Sequence, residues 1–316
     1  MRRVALIYNP ASGQHSWRRH AAIDKALDLL RAAGVEAKAH ETIAPGSAGV
    51  LAGEAVRHGY DTVIACGGDG TVHEVLQSLV GTTVALGVVP LGTANALAAD
   101  LGLHTSPAKA VRKLLTAEPV RISVGRISYQ DASGATGSRY FTVTAGVGAD
   151  ALFISRLNPA LKRRIGYIVY LFEGFRVWAT YSFPLFEAAF VEEASAKPKV
   201  EEISELLAVR IRNFGGVLNN FIPGATLHHD GLRLVAFKTR SRYSYFRFLL
   251  ATLFGRATFT RNIEVLDAVS VECRPRNGSS HRILVEADGE FLGDLPVRIE
   301  IVPDAVTLLI PPSAKP

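Results

Sequence analysis

Apolar positions in the first third of the chain follow two alternating periods. Continuous apolar runs at residues 4–8, 61–66 and 84–89 read as buried strands. Between them Ile23, Ala26, Leu27, Leu30 and Ala33 recur at helical spacing, with Gly34 where a helix C-cap belongs. Val72, Val75, Leu76, Leu79 and Val80 mark one face of a further helix. Strands that alternate with helices predict a parallel sheet covered on both faces. Ligands of such sheets bind beyond the carboxyl ends of the strands, so chemistry is expected in the loops after Tyr8, Cys66 and Val89.

The pattern changes near residue 120. Residues 122–129, 139–144, 206–212, 232–238, 268–273, 283–287 and 297–302 look like strands separated by Gly, Asp, Ser and Asn, and long helical patterns become scarce. This predicts a second, mostly antiparallel domain, a β-sandwich. Two aromatic segments, 156–181 and 243–254, break the alternation, and 305–310 is a last short apolar strand. The expected organisation is an α/β domain over 1–121, joined by the terminal strand 304–316, and an antiparallel β-sandwich over 122–303. A chain of 316 residues suits two domains at about 100–200 residues each.

Composition narrows the setting. Two cysteines, Cys66 and Cys273, give no disulfide framework and fit a reducing, cytoplasmic compartment. The best candidate for a membrane span, 165–179, is short and carries Glu173 and Arg176. The net charge of +6 and pI of about 9.4 favour partners that carry phosphate.

The strongest chemical signal is Gly67-Gly68-Asp69-Gly70-Thr71, after a strand and opening a helix. Glycines let the backbone approach a ligand closely, and a helix N-terminus offers free N–H groups to a phosphate. Asp69 repels phosphate and suits Mg²⁺ or a water network beside one. Thr71 and Glu74 also have the spacing of a capping box, which accounts for those two residues but not for three glycines around an acid. Asn9-Pro10-Ala11-Ser12-Gly13 and Pro90-Leu91-Gly92-Thr93-Ala94-Asn95 complete a polar, glycine-rich wall. The P-loop signature and the protein-kinase motifs are absent.

Taken in order, Asn9-Pro10-x-Ser12-Gly13, Gly67 to Thr71 and Pro90-Leu91-Gly92-Thr93-x-Asn95 resemble the diacylglycerol kinase catalytic family, which includes sphingosine and ceramide kinases and soluble bacterial lipid kinases. Gly146-Val147-Gly148-Ala149-Asp150 and Asp288-Gly289-Glu290 extend the likeness into the second half. The resemblance implies a nucleotide domain related to phosphofructokinase and NAD kinase, a β-sandwich lipid domain, and ATP in the cleft between them. It implies that Gly67, Gly68, Asp69, Gly70 and Thr71, with Thr42 and Thr93, contact ATP, and that Glu290 accepts the proton of a lipid hydroxyl with Asp288 beside it. It also implies a Mg²⁺ site at Asp230 with the backbone carbonyls of Leu227 and Leu232, although Asp230-Gly231 reads equally well as a turn. One position departs from the pattern. Many members carry an aspartate where this chain has Ala96, so a carboxylate of the nucleotide network is missing.

The expected activity is ATP-dependent phosphorylation of a lipid hydroxyl, with a place in lipid metabolism and phospholipid biosynthesis. Alternatives are a NAD kinase or other small-molecule kinase, and a non-catalytic lipid-binding regulator. No nucleic-acid module is recognisable, and oligomeric state is not readable. Lys238, Arg240, Arg242, Arg247, Arg256 and Arg261 interleave with Tyr243, Tyr245, Phe246, Phe248, Phe254 and Phe259. That composition predicts a face for an anionic membrane surface, joined by Arg156, Lys162, Arg163 and Arg164. A core role for the rings is the alternative.

Overall fold

The structure is a computed structural model and describes residues 1–10, 12, 16–130, 134–157, 168–193, 197–215, 222–253, 262–279 and 281–314. The chain divides into two units. The first comprises Met1–Val124, Asn213–Gly216 and Pro303–Pro316, the second Gly125–Arg212 and Val217–Val302.

The first unit runs β1 (Arg3–Tyr8), α1 (Ser16–Ala32), β2 (Glu36–Glu41), α2 (Ser47–Arg57), β3 (Thr62–Gly67), α3 (Asp69–Leu79), β4 (Ala85–Pro90), α4 (Ala96–Asp100) and α5 (Pro107–Leu115). Its sheet is parallel, in the order β2–β1–β3–β4, and closes with the end of the last strand, Glu290–Ile310. Thr307 of that strand pairs with Ala85 and Leu308 with Leu86. β3 and β4 are buried along their whole length, as apolar runs covered on both faces should be. β2, Glu-Ala-Lys-Ala-His-Glu, is the edge strand and has no apolar run to reveal it. The spacing of Thr71 and Glu74 does not become a capping box, because α3 starts earlier, behind Gly68, without a side-chain cap. Glu74 instead accepts the N–H groups of Gly46 (2.8 Å) and Ala48 (3.0 Å), and so caps α2.

The second unit contains β5 (Glu118–Gln130), β6 (Thr136–Phe141), β7 (Thr144–Val147), α6 (Ala149–Arg156), β8 (Phe186–Val191), β9 (Lys199–Ile203), β10 (Glu205–Val209), β11 (Leu232–Phe237), β12 (Ile263–Ala268), β13 (Ser270–Pro275), β14 (Leu284–Ala287) and β15 (Glu290–Ile310). The strands of its sandwich pair in the order β12–β11–β10–β7–β14–β15–β13–β8–β9, with β6 beside β5. Inward side chains such as Phe141, Phe186, Phe190, Val271 and Ile299 form one apolar core. β5 begins in the first unit and β15 ends in it, so these two strands are common to both.

The two aromatic interruptions contain helices, Ile168–Thr180 and Arg242–Leu253. None of the described helices is long and apolar enough to cross a membrane. Residues 139–144 do not form one strand. The ladder breaks at Thr142 and Val143, whose N–H groups turn to the Asp288 carboxylate.

Candidate active site

In the first unit the parallel register brings the expected loops to one sheet edge. Tyr8 lies opposite Cys66, and Gly67 opposite Pro90. Beyond the strands, Asn9 N–H donates to the Cys66 carbonyl (3.2 Å), Leu91 N–H to Gly67 (2.8 Å) and Thr42 N–H to Tyr8 (2.9 Å). Ser12 folds back through its N–H onto the Asn9 carbonyl (3.1 Å). Gly13 lies outside the described residues.

The two glycine loops touch backbone to backbone. A Cβ on Gly92 would stand 2.5 Å from the Gly68 Cα, and one on Gly67 would stand 2.3 Å from Thr71 Oγ1. Neither position has room for a side chain. Gly70 is exposed and has open space around it, which leaves its backbone accessible to a ligand. Asp69 joins the loops: its carboxylate accepts Asn95 N–H (2.9 Å) and Ala96 N–H (2.7 Å). Asn95, held at φ 52°, closes its own loop by accepting from Gly92 N–H (2.9 Å) and donating to the Gly92 carbonyl (2.8 Å). Asn95 therefore shapes the loop, while the exposed Thr93 is the side chain it presents. Ala96 is buried, and its N–H is one of the two donors that hold Asp69.

In the second unit β14 and β15 are joined by Asp288-Gly289, with φ values of 48° and 84°. Positive φ at both central residues suits a two-residue hairpin turn of Asp-Gly composition. The Asp288 carboxylate accepts three backbone N–H groups, from Thr142 (3.0 Å), Val143 (2.9 Å) and Thr144 (3.0 Å). Asp288 is thus an anchor for the turn, and the half-buried Glu290 next to it is the carboxylate the turn presents.

Behind this turn lie three further carboxyls: Asp150, the last residue of the motif at 146–150, and Glu205 and Glu286, which were not singled out from the sequence. Glu286 accepts Gly289 N–H (2.8 Å). Glu205 caps α6 by accepting Ala149 N–H (2.7 Å) and Asp150 N–H (2.8 Å). Asp150 Oδ2 and Glu286 Oε1 both lie against Gly146, where a Cβ would come within 2.4 and 3.1 Å of them. The glycine of the Gly-Val-Gly-Ala-Asp motif therefore makes room for an acid pair. Burial, with the nearby acids, pushes Glu205 and Glu286 well up, and burial pushes Asp150 up to about 6. Two carboxyls facing one dry point disfavour double ionisation, so the uncharged form is favoured.

Residues 3–127 match the diacylglycerol kinase catalytic domain, and residues 142–310 match the YegS C-terminal NAD kinase beta sandwich-like domain. The chain belongs to the diacylglycerol kinase family. Among its relatives, a diacylglycerol kinase of Bacillus subtilis (strain 168) is 28% identical over 300 residues, covering 94% of this chain and 92% of the relative. One from Staphylococcus aureus (strain MRSA252) is 26% identical, covering 93% and 88%. Among solved structures, a diacylglycerol kinase of Bacillus anthracis str. Sterne shares the fold with a TM-score of 0.71 and 20% identity, covering 99% of this chain and 98% of that one. Yeast NADH kinase complexed with NADH has a TM-score of 0.53 at 10% identity, covering 98% and 83%. The α/β catalytic domain and the sandwich are thus those of a lipid kinase, and the sandwich is NAD kinase-like in fold.

The metal site implied for this kinase meets a different arrangement. Leu227, Asp230 and Leu232 do lie on one turn leading into β11, but the Leu227 carbonyl accepts from the buried Arg210 guanidinium. The carbonyls of His229 and Gly231 accept from it as well. A fixed positive charge inside the turn makes these residues a poor fit for Mg²⁺.

The aromatic segment divides. Tyr245 and Phe248 pack on Phe237, with ring centroids 4.6 and 5.0 Å away. Tyr243, Phe246, Leu249 and Leu250 are exposed on the same helix, and Phe172 and Phe175 are exposed on the helix Ile168–Thr180. Trp178 joins the two helices through its ring contact with Phe246 (5.9 Å) and its Nε1–H donation to the Arg242 carbonyl (2.9 Å). Lys238 is paired with Glu201 and Glu264, which removes it from the basic set. Lys162, Arg163, Arg164, Phe254, Arg256, Phe259 and Arg261 lie outside the described residues.

Proposed function

We propose that this lipid kinase transfers the γ-phosphoryl group of ATP to the hydroxyl of a diacylglycerol-like lipid, with Glu290 as the general base. The observation that carries this reading is the back-to-back contact of Gly68 and Gly92, fixed by Asp69. It builds a side-chain-free wall beside the N-terminus of α3, suited to the phosphates of a nucleotide. Phosphoryl transfer needs positioning, charge neutralisation and a proton acceptor. The loops after β1, β3 and β4 supply the positioning. Mg²⁺ would enter with ATP as part of the substrate, beside the loop that Asp69 fixes through Asn95 and Ala96. Glu290, presented by the anchored hairpin, takes the hydroxyl proton as the oxygen attacks phosphorus and ADP leaves. The names of the relatives support diacylglycerol as the acceptor class. The experiment is a screen with radiolabelled ATP against a total lipid extract and against NAD. A labelled lipid supports the reading. Labelled NADP alone, or no product with active control enzyme, overturns it.

The exposed Phe172, Phe175, Tyr243, Phe246, Leu249 and Leu250 support a second part of the proposal, docking on an anionic bilayer. They stand between 41% and 68% exposed on two joined helices, beside Arg240, Arg242 and Arg247. Rings and aliphatic tips suit the interface, and the arginines attract anionic headgroups by about 1 kcal/mol each.

A further inference from the structure

The turn before β11 is wrapped around a single side chain. Arg210, directly after β10, is 1% exposed, the bulkiest fully buried side chain of the described residues. Its Nη1 donates to the carbonyls of His229 (2.7 Å) and Gly231 (2.6 Å), and its Nη2 to Leu227 (3.3 Å). Its backbone N–H is fixed on Val143 (2.9 Å). Three carbonyl oxygens aimed at one point repel one another and require a cation or a cluster of donors between them. A guanidinium supplies both, because its planar fork carries five N–H donors and a charge that is kept under burial.

A divalent ion at this turn would need oxygen atoms at about 2.0–2.1 Å in near-octahedral geometry for Mg²⁺. Here the Leu227 carbonyl already accepts from a positive group, as do the carbonyls of His229 and Gly231 on either side of the exposed Asp230. We infer that Arg210 is a built-in cation that takes the place of a metal at the Leu227–Leu232 turn, so the second unit keeps this turn without a divalent ion. The inference stands whichever hydroxyl the kinase phosphorylates. It also means that the Mg²⁺ dependence of the reaction reports only the ion that accompanies the nucleotide.

The test uses the full chain without nucleotide. Equilibrium dialysis against Mn²⁺ is compared for the wild type and Asp230→Asn, and thermal unfolding is followed in EDTA and in Mg²⁺. The expected result is the same Mn²⁺ occupancy for both proteins and the same melting temperature of the wild type in both buffers. Arg210→Ala strands three carbonyls; it should melt roughly 5–10 °C lower and recover part of the loss when Mg²⁺ is added. If Arg210→Ala does not fold, Arg210→Lys takes its place, with a smaller loss and no response to Mg²⁺. One Mn²⁺ per chain that disappears in Asp230→Asn, together with a wild type that is destabilised by EDTA, would overturn the inference.

Discussion

Asp288→Asn replaces one oxygen by an amino group at the point where three backbone donors converge. The wild-type carboxylate accepts Val143 and Thr144 N–H on Oδ1 and Thr142 N–H on Oδ2. Asparagine keeps the shape and tolerates the left-handed backbone at φ 48°, so backbone strain does not enter. Its carbonyl oxygen retains the first two bonds in neutral form, and its amino group faces Thr142 N–H donor to donor. Hydrogen bonds to a charged acceptor contribute about 1.5–3 kcal/mol each and neutral ones about 0.5–1.5, while a stranded buried donor costs about 1–3. The expected destabilisation is therefore about 3–6 kcal/mol. With a slope of about 2 kcal/mol per M, urea unfolding should shift down by roughly 1.5–3 M. Turnover should fall too, because Glu290 sits at the end of the loosened turn. If the variant unfolds at the wild-type urea midpoint and yet loses a hundredfold in turnover, Asp288 acts on the substrate and the anchoring argument is wrong.

The remaining predictions concern both loop sets. Asp69→Ala removes the acceptor for Asn95 and Ala96 and should cost at least about a hundredfold in rate; near-normal turnover in the folded variant would remove Asp69 from the site. Glu290→Gln should lower kcat by about 10²–10⁴-fold while ATP binding persists; a change confined to the KM for ATP would make Glu290 a nucleotide contact. The acids Asp150, Glu205 and Glu286 have folded values above the unfolded carboxylate range, so the folded chain holds protons that the unfolded chain releases. Their contribution is fully present below about pH 4 and declines with rising pH, through about 6 for Asp150 and further for the other two, by about 1.4 kcal/mol per unit per proton. Glu286→Gln should therefore gain stability relative to wild type between pH 5 and pH 7 in urea titrations, and an unchanged difference would refute the raised Glu286 carboxyl. Arg240, Arg242 and Arg247 changed together to Glu should weaken co-sedimentation with anionic vesicles, and binding that ignores both this change and salt would exclude the face.

The glycine-rich wall was legible in the sequence because its signals are local. Buried parallel strands show as apolar runs, and glycines next to strand ends mark close approach. What stayed hidden depends on distant pairing. The edge strand β2 has one covered side and no run to betray it. Thr142 and Val143 read as strand because the Asp288 that takes their N–H groups lies about 145 residues away. Glu74 has the spacing of a local cap, yet serves another helix. Arg210 reads as a charged residue within the strand expected over 206–212, since nothing nearby in the sequence shows that β10 ends at Val209 and a later turn closes over it.

The strand shared at the end of the chain gives the first unit an unusual schedule of assembly. β4 is complete once Pro90 has been made, but the partner for its outer edge, Thr307 and Leu308, follows about 220 residues later. At about 5–20 residues per second, a ribosome leaves that edge without its partner for roughly 10–45 s. An open edge of apolar strand invites pairing with other chains. The nucleotide unit, although first to be synthesised, is therefore last to be closed, and a nascent chain halted after the sandwich would expose the edge of β4 to aggregation or chaperone capture.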